Sequence, residues 1–457
     1  RKFIWDAMPV QFGNRTVMAM SYFPKEGNPL WEQYSTKVVA HTLRIYSKHT
    51  FDYPYPVAIS VHTDRIGMEY PMICFNGGRP EKDGTYSART KHGMISVIIH
   101  EVGHNFFPMI VNSDERQWTW MDEGLNSFVQ YLAEQEWDRN YPSRRGPAFK
   151  IVDYMKGEKS GLEPIMTNSE QLHQFGNNAY AKPATALNIL RETVMGRELF
   201  DFAFREYAHT WMFKHPTPED FFRTMEEASA VDLDWFWRGW FYTTDYVEVA
   251  LEDVKWFKVD SRDPEVENAI TRADAKSKPQ YLADLRNQTA IAQPMIVKDV
   301  SLLDFYNKYD SLEVSVLDKE EYARYFATLK EDESALLKSD FNYYELTFTN
   351  SGGLVTPLIV EFEFTDGTKE EHRIPAEIWR YNDKRISKVF ALKKEVRGIA
   401  VDPYLETADV DMSNNFWPPR AQPTRFQLFK DREQERENPM QRDKRARAME
   451  KKNGKTE

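Results

Sequence analysis

The stretch Lys91–Phe107 reads KHGMISVIIHEVGHNFF, and in it Met94, Ile95, Val97, Ile98, Ile99 and Val102 carry apolar side chains nearly all the way round a helix. That pattern belongs to a helix buried on most sides rather than to a surface helix with one apolar stripe. Charged and imidazole groups inside such a helix need partners, because an unpaired charge in apolar surroundings is strongly destabilising. The groups in question are His100-Glu101-Val102-Gly103-His104, an H-E-x-x-H sequence. A four-residue spacing puts both imidazoles on one helical face, about one turn apart, where their ring nitrogens converge on a single tetrahedral ion such as zinc. Glu101 then projects beside the ion rather than onto it, the position of a general base for an activated water.

A third ligand is expected from another element. In Trp118-Thr-Trp-Met-Asp-Glu-Gly-Leu-Asn126, Glu123 follows His104 after eighteen intervening residues, at the start of a helix expected over 122–137. The apolar stripe of that helix is Leu125, Phe128, Val129 and Leu132, and on a 3.6-residue wheel Glu123 points away from it, on the face of Ser127 and Gln130. His100, His104 and Glu123 therefore form the candidate metal set, with one Zn2+ as the cofactor. The opposing reading makes them ordinary polar residues, or ligands of a zinc that is only structural.

Outward from the motif, the first ninety residues alternate strand and helix: a strand at 17–22, a helix at 31–49, and extended segments at 56–61 and 68–75. Helices are expected at 182–195, 198–214 and 217–229, punctuated by Gly196 and by Pro216 and Pro218. A polar, helix-prone stretch spans about 261–340, and strands return from about 342, with turns at Ser351-Gly-Gly353 and Asp366-Gly367. From Arg420 onward, 12 basic residues face 7 acidic ones, a charged tail read as solvated.

Composition narrows the function classes. Aromatics make up 14% and hydrophobic residues 41% of the 457 residues, which suits packed cores and several domains. A net charge of −11 disfavours nucleic acid as a partner. One cysteine, Cys74, excludes an internal disulfide or a Cys-rich metal cluster, and reads as a small buried apolar residue. No apolar run reaches the length of a membrane-spanning helix. His62 and His92 flank the motif and read as ordinary polar residues able to line a cleft. His209, His215 and His372 lack ligand spacing.

His100–His104 together with Trp120-Met-Asp-Glu-Gly124 resembles the gluzincin aminopeptidases, the family of aminopeptidase N and the leukotriene hydrolases, whose pattern is H-E-x-x-H, eighteen residues, then W-x-x-E-G. Their G-x-M-E-N segment is echoed by Gly67-Met68-Glu69-Tyr70, and their Y-x-K-G segment by Tyr180-Ala-Lys-Pro183. The resemblance implies that Gly67, Met68 and Glu69 bind substrate, Glu69 through the free α-amine, and that Tyr180 stabilises the oxyanion beside zinc. Tyr70 and Pro183 stand where the family has Asn and Gly, and Gln130 where relatives often carry Glu.

The expectation that follows is a multidomain α+β zinc aminopeptidase acting on peptides with a free N-terminus. A thermolysin-like zinc-binding lobe would span 1–140, a helical lobe 141–250, a linker or helical segment 251–340, a small β-sandwich-like domain 341–412 and the charged tail 413–457. An N-terminal β domain absent from this chain would pack on residues 1–140, and analogy points to export to a bacterial envelope. A non-catalytic zinc scaffold, or another zinc hydrolase such as an endopeptidase or epoxide hydrolase, stays open.

Overall fold

Two long strands, β1 (Phe3–Phe12) and β2 (Arg15–Pro24), pair antiparallel from Phe3↔Pro24 to Phe12↔Arg15, turning at Gly13 with a left-handed φ of +56°. The computed structural model describes residues 2–64, 66–420 and 437–453. Strand β1 has no counterpart in the sequence reading because most of its side chains are exposed or half-exposed, which erases the alternation of buried and polar positions. Strands β3 (Val57–His62), β4 (Gly67–Tyr70) and β5 (Ile73–Asn76) complete a five-stranded sheet of order β1-β2-β3-β5-β4. The β2–β3 and β3–β5 pairs are parallel, and β4 runs antiparallel at the edge.

Helix α1 (Leu30–His49) packs on this sheet and on α2 (Ala88–Gly103) and α3 (Leu125–Trp137). Ser87 caps α2 by accepting from the Thr90 amide at 3.0 Å, which fixes where the apolar helix begins. The crossing of the three helices needs Gly103: a Cβ there would run into the Tyr46 ring and hydroxyl and the Asn126 amide. The same contact is tied by hydrogen bonds, Tyr46 Oη donating to Asn126 Oδ1 at 2.7 Å and Asn126 Nδ2 donating to the His100 carbonyl at 2.9 Å. α2 is shorter than expected at its C-terminal end. After His104 the chain opens into a wide turn over Asn105–Ile110 in which Phe107 is extended.

Helices Lys182–Ile189, Arg197–Trp211, Pro218–Ser229 and Asp234–Tyr242 follow. They enclose an aromatic core in which Trp120 meets Phe241 at 4.8 Å between ring centroids and Phe222 stacks on Trp237 at 4.7 Å. Trp120 is fully buried there, so its burial anchors the segment that carries Glu123 by roughly 3 kcal/mol.

The later strands differ from the expected 341–412 domain. β6 (Val249–Phe257), from before the helical stretch, joins β7 (Asn342–Asn350) and β10 (Arg385–Leu392) in a three-stranded sheet of order β10-β7-β6. β8 (Leu358–Phe364), β9 (Lys369–Ile374), β11 (Val396–Val401) and β12 (Phe416–Trp417) form a second sheet of order β12-β11-β8-β9. Phe416 and Trp417 pair with Ala400 and Ile399, so residues assigned to the tail from 413 are partly strand. Of the tail itself, residues 421–436 lie outside the described residues, and Pro439–Asn453 is helical.

By contact density the chain divides into two units: Arg1–Glu252 with Thr347–Ser387 and Arg397–Glu457, and Asp253–Leu346 with Lys388–Val396. The expected lobes 1–140 and 141–250 thus share one unit. In the other, the helices from Pro264 to Leu337 bury no residue. Among the described residues no helix is long and apolar enough to cross a membrane.

Candidate metal centre and cleft

The buried end of α2 carries His100 and His104, and the wide turn Trp120–Gly124 leading into α3 carries Glu123. His100 Nε2 lies 3.0 Å from His104 Nε2 and 3.0 Å from Glu123 Oε2, and His104 Nε2 lies 3.4 Å from the same oxygen. Neighbours fix the tautomers. His104 Nδ1 is 3.0 Å from the Phe107 carbonyl, which can only accept, so that nitrogen donates. His100 Nδ1 is 2.8 Å from Gln130 Oε1, and the Gln130 amide nitrogen in turn donates to Glu134 Oε1 at 2.8 Å, which orients the Gln130 oxygen towards His100. Both Nε2 atoms therefore present lone pairs to each other and to a carboxylate. Three acceptors converging without a donor repel one another unless a cation sits among them. His100, His104 and Glu123 are a donor set that suits zinc, with ligand atoms all within 4.8 Å of one another.

Glu101 is buried beside this set, and its carboxyl is pushed up to about 8, mainly by burial, with the charges of Glu69, Glu123 and Asp122 adding to the rise and His104 opposing it. Glu123 moves the other way: although burial raises it, its closeness to the His100 and His104 imidazoles holds it below the usual carboxylate range. Asp122 Oδ1 lies 2.9 Å from His104 Nδ1, a contact the sequence reading passed over although Asp122 adjoins Glu123.

Edge strand β4 brings Gly67, Met68 and Glu69 to the cleft. A Cβ on Gly67 would collide with Glu101 Oε1 and come within 2.7 Å of Val97, so only glycine lets the strand approach α2 this closely. Gly67, Met68 and Glu69 line a cavity of about 420 Å³ with His100, Glu101, Glu123 and Tyr180. Tyr180 comes from the wide turn Gly176–Ala181; its hydroxyl donates to Glu123 Oε1 at 2.5 Å and its ring stacks on His100 at 5.6 Å. Burial and the Glu123 charge push its phenol up, so it stays protonated. Pro183, in the first turn of the next helix, packs against Gly124, where a Cβ would meet the proline ring at 2.6 Å. Every site residue expected from the sequence thus lies at one cleft.

A second cavity, of about 830 Å³, opens on the other side of His100, Glu101 and Tyr180. His92 lines it, whereas His62 packs edge-on against Trp31 at 4.9 Å, on a different surface. His209 lies edge-on to Phe51 at 6.2 Å, His215 has Nδ1 3.1 Å from the Asn112 carbonyl, and His372 sits on β9. Cys74 is buried on β5, its thiol 3.4 Å from the Ile59 carbonyl. Arg145 and Glu134, both facing the larger cavity, have no local sequence signal: one comes from an irregular loop, the other from the polar positions of α3.

Residues 34–240 match the peptidase family M1 domain. The chain is 25% identical over 228 residues to aminopeptidase N of Oryctolagus cuniculus, covering 44% of this chain and 23% of that protein. It is 22% identical over 249 residues to aminopeptidase M1-A of Oryza sativa subsp. japonica, covering 51% and 28%. The chain thus spans about a quarter of the length of these relatives. Its fold resembles that of Legionella pneumophila aminopeptidase A, crystallised with aspartic acid, with a TM-score of 0.53 at 12% identity, over 89% of this chain and 38% of that one.

Proposed function

Because residues 34–240 match the peptidase family M1 domain, we propose that this chain contains the catalytic centre of a zinc aminopeptidase. His100, His104 and Glu123 hold the zinc, Glu101 is the general base, Tyr180 the oxyanion donor and Glu69 the anchor of the substrate amine. The observation that carries the reading is the convergence of two imidazole lone pairs and a carboxylate at 3.0 to 3.4 Å, with a buried, unligated glutamate beside them.

When bound, zinc supplies Lewis acidity that draws charge from the scissile carbonyl and makes water a better nucleophile at neutral pH. Glu101 takes a proton from the attacking water as its oxygen bonds to the carbonyl carbon, then delivers that proton to the departing nitrogen as the C–N bond breaks. Glu101 acts in its ionised form, which burial and the neighbouring carboxylates oppose and which a cation held by His100, His104 and Glu123 would favour. The Tyr180 hydroxyl, turned away from Glu123 Oε1, donates its one hydrogen bond to the oxygen on which negative charge develops. Glu69, which lines the smaller cavity within 4.8 Å of Glu101 and His104, pairs with the α-ammonium and so holds the first peptide carbonyl at the reacting position. That restriction favours removal of N-terminal residues over cleavage inside a chain.

Hydrolysis of aminoacyl-arylamides by the zinc-loaded chain tests the reading. Release of arylamine is expected, with a fall of about 10³-fold or more in kcat for Glu101→Gln at unchanged zinc content. N-acetylated arylamides should remain intact, because the acetyl group removes the charge that Glu69 recognises. Cleavage of blocked and free substrates alike would replace the exopeptidase reading with an endopeptidase one, and zinc binding without any turnover would favour a scaffold.

A further inference from the structure

The cavity of about 830 Å³ beside His100 and Glu101 is lined by three arginines, Arg89, Arg144 and Arg145. None of the three forms an ion pair among the described residues. Arg145, half-buried, lays its guanidinium over the Tyr180 ring at 4.3 Å, which fixes the group at the boundary between this cavity and the metal centre. The charges of Glu123 and Glu134 act on Arg145 from a distance, but among the described residues neither carboxylate contacts its guanidinium. Glu101 belongs to the candidate metal centre, and Glu134 is held by other donors: Oε1 accepts from Ser96 Oγ at 2.7 Å and Gln130 Nε2 at 2.8 Å, and Oε2 accepts from Ser143 Oγ at 2.5 Å. A planar guanidinium held by stacking in a concave site, with no hydrogen bond to its edge among the described residues, is arranged to receive a carboxylate.

Position along the cleft says which part of a substrate meets these arginines. Glu69 and Met68 line the smaller cavity and not the larger one, while Gly67, His100, Glu101 and Tyr180 border both. With the amine on Glu69, a peptide runs past the metal centre and enters the larger cavity with the residue that follows the scissile bond. Resting on the aminopeptidase reading for this direction, we infer that Arg145, with Arg144 and Arg89 around it, selects substrates bearing a carboxylate immediately beyond the scissile bond. The carboxylate is either an acidic side chain or the free C-terminus of a dipeptide.

Two matched peptide pairs separate the sources: Ala-Asp-amide against Ala-Asn-amide, and Ala-Ala against Ala-Ala-amide. Their binding to the zinc-loaded Glu101→Gln chain is measured by calorimetry, which needs no turnover. At least one carboxylate member should bind about tenfold more tightly than its neutral partner, the range of a charge-assisted hydrogen bond. Arg145→Gln should abolish that preference and leave the neutral amides unchanged, a control that the variant is folded. Arg145→Lys should restore only part of it, because a point charge replaces a fork. A preference confined to the first pair assigns the site to acidic side chains, and one confined to the second assigns it to short peptides. Equal binding within both pairs, or a preference that survives Arg145→Gln, overturns the inference. Arylamide release by the unsubstituted chain reports separately on the aminopeptidase reading: absence of release with an Arg145-dependent preference intact would sink that reading and leave the carboxylate site standing.

Discussion

The chemistry of the site comes down to which nitrogen of each histidine carries the proton. His104 is set by the Phe107 carbonyl and His100 by Gln130, which is itself held by Glu134. Glutamine can do what a carboxylate would do at this position, accept from Nδ1, but it lends the imidazole less negative charge. Removing the acceptor with Gln130→Leu should weaken zinc binding by about 10- to 100-fold, measured by competition with a chromogenic chelator, without loss of fold. If Tyr180 has the proposed role, Tyr180→Phe should lower kcat on an arylamide by about 10²-fold or more while KM changes little, since the hydroxyl would then act where charge develops and not on the ground state. A parallel loss in KM would reassign Tyr180 to substrate binding.

At the level of elements, the site depends on α1, α2 and α3 meeting closely enough to bring Glu123 under α2. Gly103 is the point of closest approach, against Tyr46 and Asn126. Gly103→Ala should cost about 3 kcal/mol in chemical denaturation, an overpacking effect, and near-normal stability would show that the helices can part without penalty. The helix that follows Tyr180 starts at Lys182, which is buried, reaches the Thr243 carbonyl at 3.3 Å and is pulled down to about 8 by burial against the opposing charge of Asp245. Its folded pKa lies below its unfolded value near 10.4, so between pH 8 and pH 10.4 the unfolded chain holds more protons and stability rises with pH. Below pH 8 the cost of the buried charge is present in full, on the order of 3 kcal/mol. The difference in unfolding free energy between Lys182→Met and the parent should therefore be largest near pH 7 and shrink as the pH rises from 8 to above 10.4, and a difference independent of pH would refute this account.

Across the whole molecule, stability is unevenly distributed. The candidate metal centre sits in a unit with a continuous aromatic and aliphatic core, whereas residues 250–341 include none that is buried, and Tyr281, Phe305 and Tyr306 are among the large side chains left in solvent. Segments with little buried apolar surface open at low free-energy cost, so limited proteolysis should cut first between about residues 260 and 340. Mass spectrometry of the early fragments should find the piece spanning Phe3 to Phe257 intact; first cuts within α1–α3 would contradict this.

The sequence alone marked out the proposed metal set and its proposed base. Helical periodicity is a local rule: His100 and His104 must share a face, Glu101 must point beside it, and the stripe Leu125, Phe128, Val129 and Leu132 must turn Glu123 elsewhere, whatever surrounds them. The motif resemblance added Gly67, Met68, Glu69 and Tyr180 as expectations, and the fold brings all of them to the cleft. Only the tertiary structure decided what composition and spacing do not encode. The Glu134–Gln130–His100 chain, the stacking of Arg145 on Tyr180 and the recruitment of β6 to strands some ninety residues later each join segments far apart in the sequence. A side chain at such a junction carries no periodic signal, because its environment is created by a partner whose distance along the chain is arbitrary. Strand β1 escaped for the converse reason: it is fixed by backbone pairing to β2, and its mostly solvent-facing side chains record little of that.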